Sequence, residues 1–279
     1  MNDDRLSDRT IIITGAASGF GRLITERAVA RGADVIAADI DEPGLDALVG
    51  DLAGAPGVVV AAPTDVTRLD DVRSTVALCV ERFDRVDAIV NNAGVMPLAF
   101  FSDHEAAAAA WDRCIDINIK GVLHGMIAVY DQMMNQGRGH VVNLSSIYGN
   151  HPVVGAAVYG ASKAAVNMMS EAFRVECQGT IKVTIIKPTG VPGTALGAGV
   201  INPAAVVGIL GQNAGEYLPT MVSVRDGSID EALLDPESPR YAVLDPEHIA
   251  DAVVHALDQP WGVSFGDITV RATGDRYIL

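Results

Sequence analysis

The stretch TIIITGAASGFG, residues 10 to 21, decides the fold of this chain. Its first half is a short β-branched run that predicts a buried strand, and a helix-like segment follows from residue 19 to 31. Gly15, Gly19 and Gly21 lie where the strand turns into the helix. Glycines at such a turn let the backbone approach a phosphate group, while the free amides of the helix N-terminus attract its charge. A tight turn without a ligand has the same composition, so the surrounding pattern has to decide between the two.

The alternation of strand and helix continues along the chain. Further strands are predicted at residues 33–40, 57–66, 85–94, 138–146 and 181–188, with a last one within 262–271. Helices are predicted near 42–52, 67–83, 103–134, 157–177 and 246–259, and the capping-box spacing of Ser102 and Glu105 marks the start of the third. Near-continuous apolar strands that alternate with helices indicate a parallel sheet covered on both faces. We therefore predict an α/β fold, a doubly wound Rossmann-type sheet of about seven strands, in a single domain over residues 1–279.

One segment, 191–240, does not follow the alternating pattern. It is too long for an ordinary connection between a strand and a helix, which leaves a functional lid or a disordered insertion. Its many apolar residues favour a lid over a mainly apolar ligand. Arg225 and Arg240 are its only basic residues, which disfavours substrates that carry a phosphate or carboxylate group.

Composition and charge exclude several classes of protein. The net charge of -15 would repel a nucleic-acid backbone, so we expect no nucleic-acid partner. No apolar run reaches the length of a membrane span, and the polar, acidic N-terminus differs from a secretory signal. The three cysteines, Cys79, Cys114 and Cys177, are too widely spaced to suggest a metal site. We expect a cytoplasmic protein that contacts no membrane and binds no metal.

An acidic residue follows the second predicted strand. Asp39 lies 18 residues after Gly21, close to the spacing at which a carboxylate accepts hydrogen bonds from an adenosine ribose. Asp41 and Glu42 follow it, with no arginine or lysine nearby in the sequence. Because a 2′-phosphate would meet uncompensated negative charge, the sequence favours NAD over NADP as the cofactor. A solvated acidic turn without a ligand is the alternative.

Further motifs stand at the ends of the predicted strands and on the helices between them. They are Asp65 and Val66, NNAG at 91–94, Asn118 within INIKG, NLSS at 143–146, and YGASK at 159–163. Together with TGAASGFG, these motifs make the chain resemble the compact, single-domain branch of the short-chain dehydrogenase/reductase family. The resemblance extends from about residue 8 to 195 and returns near the C-terminus.

The resemblance implies a dinucleotide-binding site formed by residues at the ends of most of the predicted strands. Its residues would be Gly15, Ser18, Gly19, Phe20, Gly21, Asp39, Asp65, Val66, Asn91, Ala93, Val191 and Thr194, with Tyr159 and Lys163 at the nicotinamide end. The chain departs from the family after the sixth strand. Where the family has Pro-Gly, this chain has Pro188-Thr189, and Thr194 lies one residue later than the usual threonine.

The stretch YGASK contains the predicted reaction centre. Tyr159 and Lys163 are one helical turn apart on the same face, where the lysine ammonium, together with an oxidised nicotinamide, would lower the pKa of the tyrosine phenol. By resemblance, Ser146 hydrogen-bonds the substrate oxygen, Asn118 interrupts its helix and holds a water linked to Lys163, and Lys163 binds the nicotinamide ribose. Ser145 is a weaker candidate than Ser146.

These motifs predict an NAD-dependent oxidoreductase that interconverts a secondary alcohol and a ketone, acting on an apolar or bulky alicyclic, terpenoid, steroid or aryl substrate. Two alternatives stay open: an epimerase or lyase that uses the same tyrosine with a tightly held cofactor, and a nucleotide-sensing protein without turnover. The resemblance also implies a homo-oligomer, a dimer or tetramer formed by the helices that contain Asn118 and Tyr159. Packing within one chain would explain the same apolar stripes.

Overall fold

The computed structural model, which describes residues 4–7 and 9–277, has a parallel sheet of seven strands at its centre. The strands are β1 (Thr10–Thr14), β2 (Asp34–Asp39), β3 (Val59–Pro63), β4 (Ala88–Asn91), β5 (Gly139–Leu144), β6 (Ile181–Pro188) and β7 (Asp267–Val270). Their spatial order is β3-β2-β1-β4-β5-β6-β7, so the direction of winding reverses between β1 and β4. Ligands of such sheets bind at this reversal, beyond the carboxyl ends of the strands. The predicted fold class is confirmed.

Helices cover both faces of the sheet because its central strands are apolar on both faces. In β1, Ile11 and Ile13 pack into one core cluster and Ile12 into the other. The first cluster lies under α1 (Gly19–Ala30), α2 (Glu42–Asp51) and α9 (Pro246–Leu257). The second lies under α3 (Leu69–Phe83), α5 (Val122–Asn135) and α6 (Ala157–Glu176).

The predicted helix over 103–134 is interrupted. It consists of α4 (His104–Ile115), a π-helical segment Asp116–Gly121 and then α5. The predicted capping box of Ser102 and Glu105 is wrong, because the chain enters α4 through a 3₁₀ turn, Phe101–Asp103. There the carboxylate of Asp103 accepts a hydrogen bond from the Phe100 amide at 2.9 Å.

The segment 191–240 is built of short helices. Between 3₁₀ turns it forms α7 (Val207–Leu210) and α8 (Ala214–Asp226). Ala205, Ile209 and Leu210 are buried in a third core cluster, together with Tyr148 and Tyr159. The segment therefore packs over the carboxyl end of the sheet, where the strand-end motifs lie. Within the described residues, no helix combines the length and apolar character needed to cross a bilayer.

Candidate active site

A cavity of about 1220 Å³ lies at the carboxyl ends of β1 to β6. The loops after all six strands contribute to its lining, as does the segment after β6. Of the predicted site residues, the cavity wall contains Gly15, Ser18, Gly19, Phe20, Asp39, Asp65, Val66, Ala93, Ser146, Tyr159, Lys163, Val191 and Thr194. The structure thus brings together residues that are up to 179 positions apart in the sequence.

The glycine-rich turn has the conformation that a dinucleotide requires. Gly15 and Gly19 have φ angles of +68° and +52°, in the left-handed region that favours glycine. A Cβ on Gly15 would lie 2.8 Å from the side-chain amide of Asn92, which donates to the carbonyl oxygens of Thr14 and Gly15. Gly19 faces open space at the start of α1, so a phosphate can approach the first helical amides.

Gly21 acts differently from the two preceding glycines. It does not line the cavity, and a Cβ there would overlap the carbonyl oxygen of Gly15. Its role is therefore to let α1 pack against the turn. Together, the three glycines form a cradle that fits the pyrophosphate of a dinucleotide.

The end of the cavity beside β2 and β3 is strongly acidic. Asp39 lies there with Asp65, and Asp112 and Asp116 line the wall that α4 and the π segment contribute. Among the described residues that line this end of the cavity, Arg113 is the basic side chain, and its positive charge favours the ionised form of the Asp65 carboxyl group. The charge at this end is therefore negative overall.

The Asp39 carboxylate also organises the turn beside it. Its Oδ2 accepts a hydrogen bond from the Ala17 amide at 3.0 Å, and its Oδ1 accepts one from the Asp41 amide at 3.1 Å. These bonds fix the carboxylate between the glycine-rich turn and the start of α2. It can accept hydrogen bonds from ribose hydroxyls with its remaining lone pairs.

Asn91 is not brought into the cavity. It is the last residue of β4, is buried on the face covered by α5, and donates from Nδ2 to Oδ1 of Asn143 at 2.8 Å. Asn143 in turn donates to the hydroxyl of Ser170 at 2.8 Å. The cavity is lined instead by Asn92, whose side chain holds the glycine-rich turn, and by the residues after it. The alternation of side chains along β4 explains the difference.

Ser146, Tyr159 and Lys163 meet at the other end of the cavity. Lys163 donates from Nζ to the carbonyl oxygen of Leu144 at 2.8 Å, and Nζ lies 5.8 Å from the centre of the Tyr159 ring. Ser146 ends the connection after β5 and is hydrogen-bonded to Tyr159. All three side chains are buried. The arrangement can place a hydroxyl donor and an acid/base group on one substrate oxygen.

Asn118 lies behind this group and does not line the cavity. Its side-chain amide exchanges two hydrogen bonds of 2.9 Å with the backbone of Val95, and Nδ2 also lies 3.1 Å from the hydroxyl of Ser162. That hydroxyl donates to the carbonyl oxygen of Tyr159 at 2.7 Å. Asn118 therefore joins the loop after β4 to the helix that contains Tyr159. Its position within the π segment agrees with the predicted interruption of its helix.

Burial shifts the pKa values of the two central groups in opposite directions. Burial raises the pKa of Tyr159 to about 12, and the hydrogen bond with Ser146 opposes this increase. Burial also lowers the pKa of Lys163 to about 8. The predicted lowering of the Tyr159 pKa requires Lys163 together with an oxidised nicotinamide and stays a prediction; in the protein alone, enclosure of the phenol raises this pKa.

The sequence reasoning missed an aromatic wall of the cavity. Tyr148, Tyr217 and Tyr277 line it in addition to Tyr159. The rings of Tyr148 and Tyr159 are edge to face, with centroids 5.5 Å apart. Tyr217 lies in the segment 191–240 that was predicted to form a lid, and Tyr148 follows Ser146 by two residues, whereas no signal in the sequence pointed to Tyr277.

Thr189 explains the departure of the chain from the family pattern. Its amide and hydroxyl bond to the carbonyl oxygen of Val270, and its hydroxyl lies 3.1 Å from Oδ2 of Asp275. Gly190 and Thr194 line the cavity after it, each displaced by the same single position. Thr189 therefore acts as one additional residue that extends the pairing of β6 with β7.

Fold and site together define the class of the protein. A family model described as short chain dehydrogenase matches residues 9–202, so the chain belongs to the short-chain dehydrogenase family. It is an oxidoreductase of that family. Within residues 4–7 and 9–277, no group of three His, Cys, Asp or Glu side chains is arranged to hold a metal ion.

Proteins similar to this one match nearly its whole length. The uncharacterized oxidoreductase Lin0452 of Listeria innocua is 34% identical over 271 residues, covering 96% of this chain and 98% of the relative. A closed form of serine dehydrogenase complexed with NADP+ is 27% identical, with a TM-score of 0.75 over 96% of this chain and 97% of that one. An alcohol dehydrogenase from the archaeon Thermococcus sibiricus, complexed with 5-hydroxy-NADP, has the same fold, with a TM-score of 0.75 at 19% identity and coverages of 96% and 98%.

Proposed function

We propose that the protein is an NAD-dependent oxidoreductase that interconverts a secondary alcohol and a ketone on a neutral, apolar or bulky substrate of the alicyclic, terpenoid, steroid or aryl type. The observation that carries this proposal is the meeting of Ser146, Tyr159 and Lys163 in the cavity that begins at the glycine-rich turn. A nucleotide cradle and a proton-transfer group in one cavity are what hydride transfer to a carbonyl requires.

Each residue of the site has a distinct part in this reaction. A bound nicotinamide would supply or accept the hydride. The Tyr159 hydroxyl gives its proton to the developing alkoxide oxygen during reduction and removes that proton during oxidation. The Ser146 hydroxyl donates a hydrogen bond to the same oxygen. Lys163 holds the cofactor ribose, and Asn118 fixes the helix behind Tyr159 through Ser162.

The acidic end of the cavity supports NAD as the cofactor. A 2′-phosphate there would lie near Asp39 and Asp65, with Arg113 as the available basic side chain on that part of the described wall. Because the similar serine dehydrogenase was solved in complex with NADP+, the preference of the present chain for NAD over NADP needs a direct test. We expect kcat/KM to be at least about 100-fold higher with NAD than with NADP, which corresponds to about 2.7 kcal/mol.

Replacing Asp39 tests the cofactor proposal. Asp39→Ser should reduce the preference for NAD by at least about tenfold, because it removes the charge nearest the ribose. Asp46→Ser is the matched control, since Asp46 is an exposed acidic residue on α2 outside the cavity wall. Equal kcat/KM values with NAD and NADP in the unaltered enzyme would sink the argument.

The substrate end of the cavity supports a neutral substrate. Of the described residues, the loop after β6, the segment 191–240 and the C-terminal residues contribute only uncharged side chains to the wall. A zwitterionic amino acid would lose its hydration there without gaining an ionic partner. We therefore expect ketone reduction but no oxidation of serine, which distinguishes this chain from its structural relative.

An absorbance assay at the NADH band tests the reaction. The unaltered enzyme should oxidise NADH with neutral ketones, and Tyr159→Phe should lower kcat at least about 100-fold. Tyr130→Phe is the control, because Tyr130 is an exposed tyrosine on α5 outside the cavity wall. Full activity in Tyr159→Phe would contradict the assignment. No net change in added NAD or NADH with any substrate would favour an epimerase, a lyase or a nucleotide sensor instead.

We extend the proposal to the architecture around the site. The chain is one domain, and its segment 191–240 is a lid over the substrate end of the cavity. The burial of Ile209 and Leu210 against Tyr148 supports this role.

The chains assemble as a dimer or tetramer through α5 and α6, which expose apolar side chains such as Leu123, Ile127 and Met168. Light scattering should give the mass of two or four chains, whereas the mass of one chain would contradict this assembly.

A further inference from the structure

The C-terminal segment 271–277, called the tail below, reaches the substrate end of the cavity. Its last described residue, Tyr277, lines the cavity wall. The Tyr277 ring packs directly on the backbone of Gly190, where any Cβ would overlap the ring and its hydroxyl. Gly190 precedes Val191, which also lines the cavity. The tail thus places an aromatic hydroxyl beside the loop after β6.

Several polar contacts hold the tail in this position. Asp275 accepts hydrogen bonds from the hydroxyl of Thr189 at 3.1 Å and from Arg271 at 2.8 Å. Arg276 forms an ion pair of 2.9 Å with Glu216, and its carbonyl oxygen accepts a hydrogen bond from Asn213. The tail is therefore fastened both to the loop after β6 and to the start of α8.

The hydroxyl of Tyr277 is poorly satisfied within the protein. Its oxygen lies 3.4 Å from the hydroxyl oxygen of Tyr217, which is long compared with about 2.7–2.8 Å for a good bond between hydroxyl groups. The two rings are edge to face, with centroids 5.8 Å apart. Burial keeps the pKa of Tyr277 far above its usual range, so the group stays a neutral donor. A ligand oxygen that bonded to this pair would supply the missing partner.

The tyrosine pair belongs to the same wall as the reaction centre. The ring of Tyr148 packs edge to face on Tyr159, and Tyr217 and Tyr277 pack against the core cluster that contains both rings. An apolar aromatic surface therefore leads from Tyr159 to a pair of hydroxyl groups. Because this part of the described wall contains no charged side chain, hydroxyl groups are the polar anchors that it offers away from the reacting oxygen.

We propose that the tail completes the substrate site and that the Tyr217–Tyr277 pair selects a neutral, ring-containing substrate with a second oxygen, remote from the reacting carbon. The reacting oxygen is held by Ser146 and Tyr159, and the remote hydroxyl or carbonyl oxygen bonds to the tyrosine pair. This inference rests on the proposed ketone and alcohol chemistry for its substrate class. It assigns to Tyr277 a role in binding rather than in hydride or proton transfer.

A pair of matched ketones tests the inference by binding. The probes are 4-(4-hydroxyphenyl)butan-2-one and 4-phenylbutan-2-one, which differ only in one remote hydroxyl group. Each is titrated calorimetrically into the full-length protein saturated with NAD+, so that no ketone is turned over. We expect the hydroxylated ketone to bind about threefold to tenfold more tightly, as one added neutral hydrogen bond would give.

Two variants identify the source of the preference. Tyr277→Phe keeps the ring but removes the hydroxyl, so the ratio of the two Kd values should fall to about one, while the Kd of 4-phenylbutan-2-one stays within about twofold. Asp275→Ala releases the tail from Thr189 and should reduce the same ratio without altering any residue of the cavity wall. Tyr130→Phe should keep the ratio of the unaltered protein.

The outcomes separate this inference from the proposed function. Equal binding of the two ketones, a preference that survives in Tyr277→Phe, or no binding of either ketone would overturn the inference. Reduction of the same ketones by NADH is measured in parallel. A hydroxyl preference in binding without any NADH oxidation would overturn the proposed ketone reduction alone, whereas turnover of both ketones with equal Kd values would overturn only the role of the tyrosine pair.

Discussion

Lys163 should make the folded protein less stable than a methionine at the same position would. Its ammonium is enclosed, and it has the carbonyl oxygen of Leu144 as its hydrogen-bond acceptor at 2.8 Å. Burial lowers the pKa of Lys163 from 10.5 to about 8. At about 1.4 kcal/mol for each tenfold change in proton affinity, the charged group costs the folded state about 3 kcal/mol at pH 7.

The expected net effect of Lys163→Met at pH 7 is an increase of about 2 kcal/mol in the free energy of unfolding. The substitution removes the cost of the buried charge but also removes the hydrogen bond to Leu144, which offsets about 1 kcal/mol. The sign of this difference in the free energy of unfolding depends on pH. Between pH 8 and 10.5 the folded protein releases the Lys163 proton while the unfolded chain keeps it, so the stability of the unaltered protein rises and the advantage of the variant disappears.

Urea denaturation without cofactor, at one protein concentration and at pH 7 and pH 10, measures both effects. Lys120→Met is the control, because Lys120 is exposed and its ion pair with Asp116 contributes less than about 1 kcal/mol. The reasoning would be refuted by a Lys163→Met protein that is less stable than the unaltered one at pH 7, or by an advantage that is the same at both pH values. We expect the stabilised variant to have lost its ketone reductase activity.

Three further predictions concern the glycine-rich turn, the buried amide pair and the proton-transfer group. Gly21→Ala should lower the free energy of unfolding by about 1–3 kcal/mol through overlap with the glycine-rich turn, whereas Gly50→Ala, at an open helical position, should raise it by up to about 1 kcal/mol; thermal denaturation compares the two. Asn91→Ala should cost about 1–3 kcal/mol by leaving its buried amide partner unpaired, yet change the Kd for NAD less than about threefold; a large loss of NAD affinity with unchanged stability would contradict its placement. Alcohol oxidation should accelerate with rising pH and ketone reduction should slow, because Tyr159 must be deprotonated for one and protonated for the other. Burial raises the Tyr159 pKa and the Ser146 bond lowers it, so Ser146→Ala should move both pH–rate profiles to higher pH, and unmoved profiles would count against that bond.

The sheet could be predicted because its strands are buried on both faces. Ile11, Ile12 and Ile13 belong to opposite core clusters in alternation, so β1 has to be apolar at every position and is visible as a continuous run. The strands β4 to β6 can be recognised in the sequence for the same reason. The last strand, β7, has exposed and half-buried residues in alternation, and its bounds were correspondingly vague in the sequence.

The interior of the long helical region is harder to predict. The segment Asp116–Gly121 has a helical periodicity on both sides, and only the contacts of Asn118 with Val95 and Ser162 show why the helix widens there. A contact with a loop 23 residues away leaves no local mark in the composition.

The candidate site shows the same division between local and distant information. Spacing was sufficient to place Tyr159 and Lys163 on one helical face, but it does not report enclosure, and enclosure decides their pKa values. The two asparagines of NNAG could not be told apart without the side-chain alternation of β4, which turns Asn91 away from the cavity. Tyr277 is 118 positions after Tyr159, and only the folded chain shows that both belong to one wall.

The strand order also determines when the site becomes complete during synthesis on the ribosome. After β1 to β3, each new strand from β4 to β7 joins the same growing edge in the order in which it is translated. The glycine-rich turn, Ser146 and Tyr159 therefore emerge while that edge is still unpaired, and the tail emerges after all seven strands. A nascent chain arrested before the tail would contain the cradle and the reaction centre while lacking the Tyr277 part of the wall, so cofactor binding should precede selective substrate binding in time.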